Sequence, residues 1–357
     1  DGGDYPIGPS AITNMGEFDE IGTVKIINSS VTKNTAEESG AGIQNGGDGI
    51  VIVQDSLLEK NRTEASGGGI YSEGGTVKVE DTLVNDNYAS NGGGLYSGGG
   101  TTHFGLRGRF DVIGSVDANG VSTTVISNNT AEAHGGGMSS DGDGQVSIEG
   151  VTFTENFATD SGGALMNDGR ASMTVERTSF THNGTLVHGG AVSLSSERFV
   201  TIDQSTFTDN EAGITVLEVG PGELPEPGDG HGGALNSEGG GRLTITNSHF
   251  ERNLSSDDGG ALALHGSGPT VVADSKVVNN QAKCEECSGG GIEYSGMRGT
   301  FERLFVKGNK ATTGNGGGIH NTASDVLTIL DTHVEGNTAL NGGGLANQAD
   351  APIEIPG

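Results

Sequence analysis

The sequence predicts an all-β fold, a parallel β-helix (solenoid) of about eleven rungs of ~27 residues, and three observations carry that prediction. A glycine-led motif closing on an asparagine returns eleven times. Apolar residues alternate with a period of two and show no comparable 3.6-residue period, which is a strand signal. Two positions counted back from each asparagine are apolar in every copy. A fixed period of this size marks a repeat in which each unit buries its face against the next.

The elements follow in chain order. Residues 1–20, DGGDYPIGPSAITNMGEFDE, do not fit the repeat and are expected to cap the first rung or dock onto a neighbour. Residues 21–348 are the β-helix. Its closing asparagines are Asn34, Asn61, Asn87, Asn129, Asn156, Asn183, Asn210, Asn253, Asn280, Asn309 and Asn337, at spacings of 27, 26, 42, 27, 27, 27, 43, 27, 29 and 28. Three residues before each lies an apolar residue, including Phe153, Phe180, Phe207 and Phe250, expected to form a stacked aromatic column. Eight before lies another, from Ile26, Val53 and Val79 through Val121 to Ile329. Ser or Thr five before, often preceded by Asp or Asn, reads as a turn whose side chains bond the backbone.

Three short strands and three turns per rung are expected. Strand spacing of about 4.8 Å makes eleven rungs a rod on the order of 50 Å long. The glycines, as in SGGGI at 66–70, are placed at corners where a side chain would clash or φ must be positive. Eleven copies exclude a phosphate-cradling loop. The asparagines are expected to tolerate left-handed backbone and to bond amide to amide along the stack. Residues 349–357 are left as a C-terminal tail, with no polar cap over the final rung. An open rung of this kind is a template for another copy.

Composition narrows the function. Eighteen basic against 47 acidic residues give a net charge of -29, which argues against a nucleic-acid surface or a polybasic membrane patch. Such charge suits a solvated outer face and can attract divalent cations, so calcium is the one ion admitted, with no cofactor expected. No apolar run is long enough to span a bilayer as a transmembrane segment. Without an initiator Met or a signal-like segment, the chain reads as a processed product or an excised part.

Where FxxN and GGA[ILV] stand together, as FTEN 153–156 with GGAL 162–165 and FTDN 207–210 with GGAL 232–235, the sequence resembles the polymorphic outer membrane protein family and similar bacterial or archaeal surface proteins. The resemblance implies a right-handed β-helix, an extracellular or cell-surface location, and adhesive or structural work with no catalytic residues. The outer copies carry Val, Leu or Ile for Phe and GGG for GGA, and no C-terminal membrane barrel is present in the sequence.

Two insertions interrupt the period, at about 99–117 and 213–230, and loops of this kind are where specific contacts concentrate. The first holds His103, Arg107 and Arg109, the candidate partner contact in an otherwise acidic chain. His134, His188 and His231 stand before glycine corners where other copies hold Ser, Asn or Asp, and read as polar turn residues, the last two able to stack. Cys284 and Cys287, in the 29-residue interval, are expected to form a local disulfide in an exported protein. Of the N-x-S/T sequons at Asn28, Asn61, Asn128, Asn183 and Asn253, three occupy the asparagine ladder, where a glycan would conflict with an inward amide.

These readings converge on a non-enzymatic structural or adhesive surface protein. Its partners are other copies in a head-to-tail filament, or surface proteins and glycans. The alternative is a polysaccharide-active β-helix enzyme, lyase or hydrolase, or a carbohydrate-binding module. Such an enzyme needs paired carboxylates, or calcium with a basic residue, and no local signature singles these out.

Overall fold

Short alternating strands can bury an apolar face only against copies of themselves, and the chain does this turn after turn. The computed structural model describes residues 10–15, 21–100, 107–116, 121–213, 230–284, 286–349 and 352–355. They fall into two units, residues 1–158 with 164–174 and residues 159–163 with 175–357. Each is coiled as a right-handed parallel β-solenoid, about eleven turns along the chain at about 27-residue spacing, with no helix among the described residues.

Each full turn feeds four sheets rather than the three strands expected. In the first unit a turn runs Ile70–Ser72, Thr76–Glu80, Leu83–Asn85 and Tyr88–Asn91; in the second, Leu262–Leu264, Pro269–Ala273, Lys276–Val278 and Gln281–Ala282. Neighbouring turns pair in parallel register, Val77 on Val51 and Ile245 on Val272. The fourth strand, just after the ladder asparagine, is usually two residues long and too short to show an alternation.

Register places like above like. In the second unit Phe180, Phe207 and Phe250 stack at ring-centroid distances of 4.7 and 4.6 Å. Phe153 occupies the equivalent column of the first unit, paired with Ile126.

The asparagine ladder is present in both units. Asn61 donates from Nδ2 to Asn87 Oδ1 (3.0 Å), Asn87 to Asn129 (3.0 Å), Asn183 to Asn210 (3.0 Å) and Asn210 to Asn253 (2.9 Å). Each Oδ1 also receives the backbone N–H of the preceding asparagine, as in Asn183 N to Asn210 Oδ1 at 3.0 Å. Asn210→Ala removes the acceptor shared by two Asn183 hydrogen bonds inside a buried column, and is expected to cost about 2–3 kcal/mol. Chemical denaturation of that variant checks it, and an unchanged midpoint would remove the ladder from the stability of the fold.

The expected left-handed asparagine is not where the sequence reading put it. Ladder asparagines have ordinary φ; the residue before each is left-handed, as at Lys60 (φ 56) and Asp209 (φ 55). The Asn/Asp position six before the ladder is left-handed too, at Asp55 (φ 48) and Asn247 (φ 50), so the amide or carboxylate tolerance is used there. The adjacent hydroxyls bond the backbone as predicted: Ser205 Oγ donates to Asp203 O (2.9 Å) and receives Thr178 N (3.2 Å).

Both anticipated glycine roles occur, at different residues of one corner. Gly189 has φ +66, while the next, Gly190, has no room for a Cβ against Gly233 O. Ladder membership also decides glycosylation. Asn61, Asn183 and Asn253 are buried in the amide column, whereas Asn28 and Asn128 are exposed. In a glycosylating host, peptide mapping is expected to find glycans at Asn28 and Asn128 alone.

Three boundaries shift. Ile12–Met15, inside the expected cap, pairs with Ile43–Gly46, and Ile353–Glu354, inside the expected tail, pairs with Leu327 and Thr328. The 99–117 insertion is not one loop, because Arg109–Ile113 is a strand between Thr76–Glu80 and Gln145–Glu149. Val112, not Val121, therefore fills the core column; Val121 is 57% exposed.

Candidate functional site

The outward residues of the first sheet carry the chemistry of the second unit. Its strands Val192–Leu194, Leu235–Ser237, Leu262–Leu264, Ile292–Tyr294 and Ile319–Asn321 send alternate side chains inward, and the middle residues Ser193, Asn236, Ala263, Glu293 and His320 align on the outer face. These middle residues are nonetheless buried.

His188 and His231, one turn apart before their corners, stack at 5.1 Å as the sequence suggested. His265 meets His231 edge-on at 5.3 Å and places Nε2 3.4 Å from Glu293 Oε2. Glu293 Oε1 receives Thr322 Oγ1 (3.1 Å) and lies 3.8 Å from His320 Nδ1. Glu293 and His320 side chains are each 6% exposed. Glu293 Oε2, His320 Nδ1, His188 Nδ1 and His231 Nδ1 are buried without a hydrogen-bond partner among the described residues.

The charges are coupled. Burial, reinforced by the neighbouring His231, holds the His188 imidazole below its ordinary value. Burial would lower His265 as well, but the Glu293 carboxylate, with Glu238 and Asp258, carries it above. Burial raises Asp258, with Asp257 and Glu293 adding to it against the Ser288 amide and His231. Asp257 and Asp258 follow one turn after His231, whose Nε2 lies 3.7 Å from Asp257 Oδ2. Ser288 N donates to Asp258 Oδ1.

Cys284 and Cys287 are joined as a disulfide, with Cys284 Sγ 3.5 Å from Asp257 Oδ1. The second insertion leaves from Gly213 and returns at Gly230, two residues that approach closely beside Ser256, and Gly230 immediately precedes His231. Residues 214–229 between them lie outside the described residues.

Of the residues proposed as a contact in the first insertion, Arg107 and Arg109 are both exposed. His103 lies outside the described residues. Arg109 Nε is paired to Asp111 at 2.6 Å on its own strand, and Arg107 Nη1 donates to Asp143 O at 2.8 Å. In the first unit the outer face instead carries Tyr71 stacked on Tyr96 at 5.2 Å, with Tyr96 OH donating to Asp141 Oδ2 (3.2 Å).

The Glu293 group was missed in sequence because its members lie on separate turns, and the usable signal was the column. His231 and Asp258 occupy the same corner position in successive turns, as do Glu293 and His320 in the middle of the strand.

Geometry and register define a right-handed parallel β-solenoid. Consistent with this, a family model described as a right handed beta helix region matches residues 113–221. No curated protein and no solved structure matches the chain.

Proposed function

We propose that this chain is a non-enzymatic extracellular structural or adhesive protein of a cell surface, resembling the repeats of the polymorphic outer membrane proteins, with head-to-tail filaments as one form of its assembly. The observation that carries the reading is the buried asparagine ladder. The repeated positions are spent on corner glycines, hydroxyl turns and stacked amides, which makes a stiff scaffold whose outer residues are free to vary. Parallel strands also pair on both edges, so turns of two copies can meet by the same hydrogen bonds used within one.

Electron microscopy of the purified protein, with and without calcium, tests this. Continuous fibres are the expected result. Discrete particles under both conditions, with no attachment to a panel of surface glycans, would sink the proposal.

A second reading, a polysaccharide-active enzyme or carbohydrate-binding module, is favoured by one feature, the Glu293 carboxylate between His265 and His320 on the outer face. Under that reading Glu293→Gln abolishes depolymerisation or glycan retention. Under the structural reading the wild type depolymerises nothing and the variant assembles as before.

A further inference from the structure

We propose that His231, Asp257 and Asp258 form a binding site for a divalent transition-metal cation of the Zn²⁺ type, which ties two successive turns of the second unit together. One ligand atom from each residue can be chosen so that all lie within 4.8 Å of one another. Zinc bonds of about 2.0–2.2 Å set ligand atoms roughly 3–3.5 Å apart, so small side-chain rotations close the set. His231 Nε2 and Asp257 Oδ2, at 3.7 Å, already stand near that spacing and too far apart for a hydrogen bond.

The backbone pre-forms the site. Gly232 N donates to Asp258 O (3.0 Å) and Asp257 N to Gly230 O (3.3 Å), which locks the His231 corner over the two aspartates. The Ser288 amide holds Asp258 Oδ1 and leaves Oδ2 to a cation. Outer partners of this kind orient a ligating carboxylate.

A second observation points to a missing positive charge. Glu293, its side chain 6% exposed and its Oε2 without a hydrogen bond among the described residues, lies 3.4 Å from His265 Nε2, and the His265 ring meets that of His231 edge-on. Three carboxylates thus gather around two imidazoles. An imidazole with carboxylates selects a borderline ion such as Zn²⁺ over Ca²⁺, which prefers six to eight oxygens. Asp257 Oδ1 faces Cys284 Sγ at 3.5 Å, so the disulfide stands beside the site and the cysteines are not its ligands.

The test is calorimetric titration of Zn²⁺ into the chelator-stripped full chain. One equivalent is expected to bind, and to resist a tenfold excess of Ca²⁺. His231→Gln and Asp258→Asn are expected to weaken binding at least tenfold while circular dichroism stays that of the parent. His134→Gln, at the same corner position in the first unit, should bind like the parent. The Cys284→Ser/Cys287→Ser variant should also bind. Absence of a stoichiometric Zn²⁺ site would overturn the proposal, as would displacement by Ca²⁺ or binding that appears only on reduction and vanishes in the double serine variant.

Discussion

Alanine at Gly190 is expected to destabilise the second unit severely, by about 3 kcal/mol or more, since overpacking against backbone cannot be relieved by a rotamer change. The added Cβ would lie 2.2 Å from Gly233 O and 2.6 and 2.7 Å from the Glu211 carbonyl carbon and nitrogen. All three are backbone atoms of the next turn, so the two turns must part to admit it. Gly240→Ala is the control, because its Cβ meets only Ser267 Oγ at 3.4 Å. Urea denaturation followed by circular dichroism separates the two. Equal midpoints for both variants would show that the corner yields more easily than its geometry implies.

Truncating Phe207 to alanine is expected to cost about 3–5 kcal/mol. The ring is fully buried between Phe180 and Phe250, so its removal empties a cavity and breaks two stacked contacts. Each such contact contributes about 0.5–1.5 kcal/mol beyond area burial. Phe207→Leu keeps most of the volume and should recover most of the loss. Hydrogen exchange offers the finer measurement, with protection falling first in Thr206–Thr208 and the strands paired to it. Loss spread evenly over the second unit would instead indicate that its turns unfold as one block.

The fold was legible because its repeat writes each structural demand many times. An amide that must stack recurs as Asn183, Asn210 and Asn253, and no single copy has to be interpreted alone. Reading failed where the count slipped. One long interval hides a strand between two excursions, so counting back from Asn129 reached Val121 while the backbone placed Phe110 and Val112 in the core. The left-handed residue was misplaced by one position, because Asn commonly adopts that geometry and the chain instead assigns it to whatever precedes the ladder, even Lys60 or Arg252.

The candidate site was less legible for a related reason. A repeat reveals what is common to the turns, and the site consists of what differs. Glu293 stands where its neighbouring turns have Ala263 and His320, and only the register shows that these three share one outer column. Histidine stacking could be read from two residues one turn apart. The partners Asp257 and Asp258 could not, because acidic residues are abundant and only the backbone bonds at Gly230 and Gly232 bring these two to His231.

The asparagine ladder has a direction. In the first unit the side-chain donors of Asn34, Asn61, Asn87 and Asn129 all point to the oxygen of the following turn, and in the second unit Asn183 through Asn309 do the same. Every amide dipole in the column therefore has the same sense, and the two ends of a ladder are chemically unlike. The Asn34 end presents an acceptor oxygen, and the Asn337 end a backbone N–H with no following asparagine among the described residues. Two copies brought together by like ends would set donor against donor or acceptor against acceptor, so the ladder itself discriminates against a two-fold symmetric pairing through these ends.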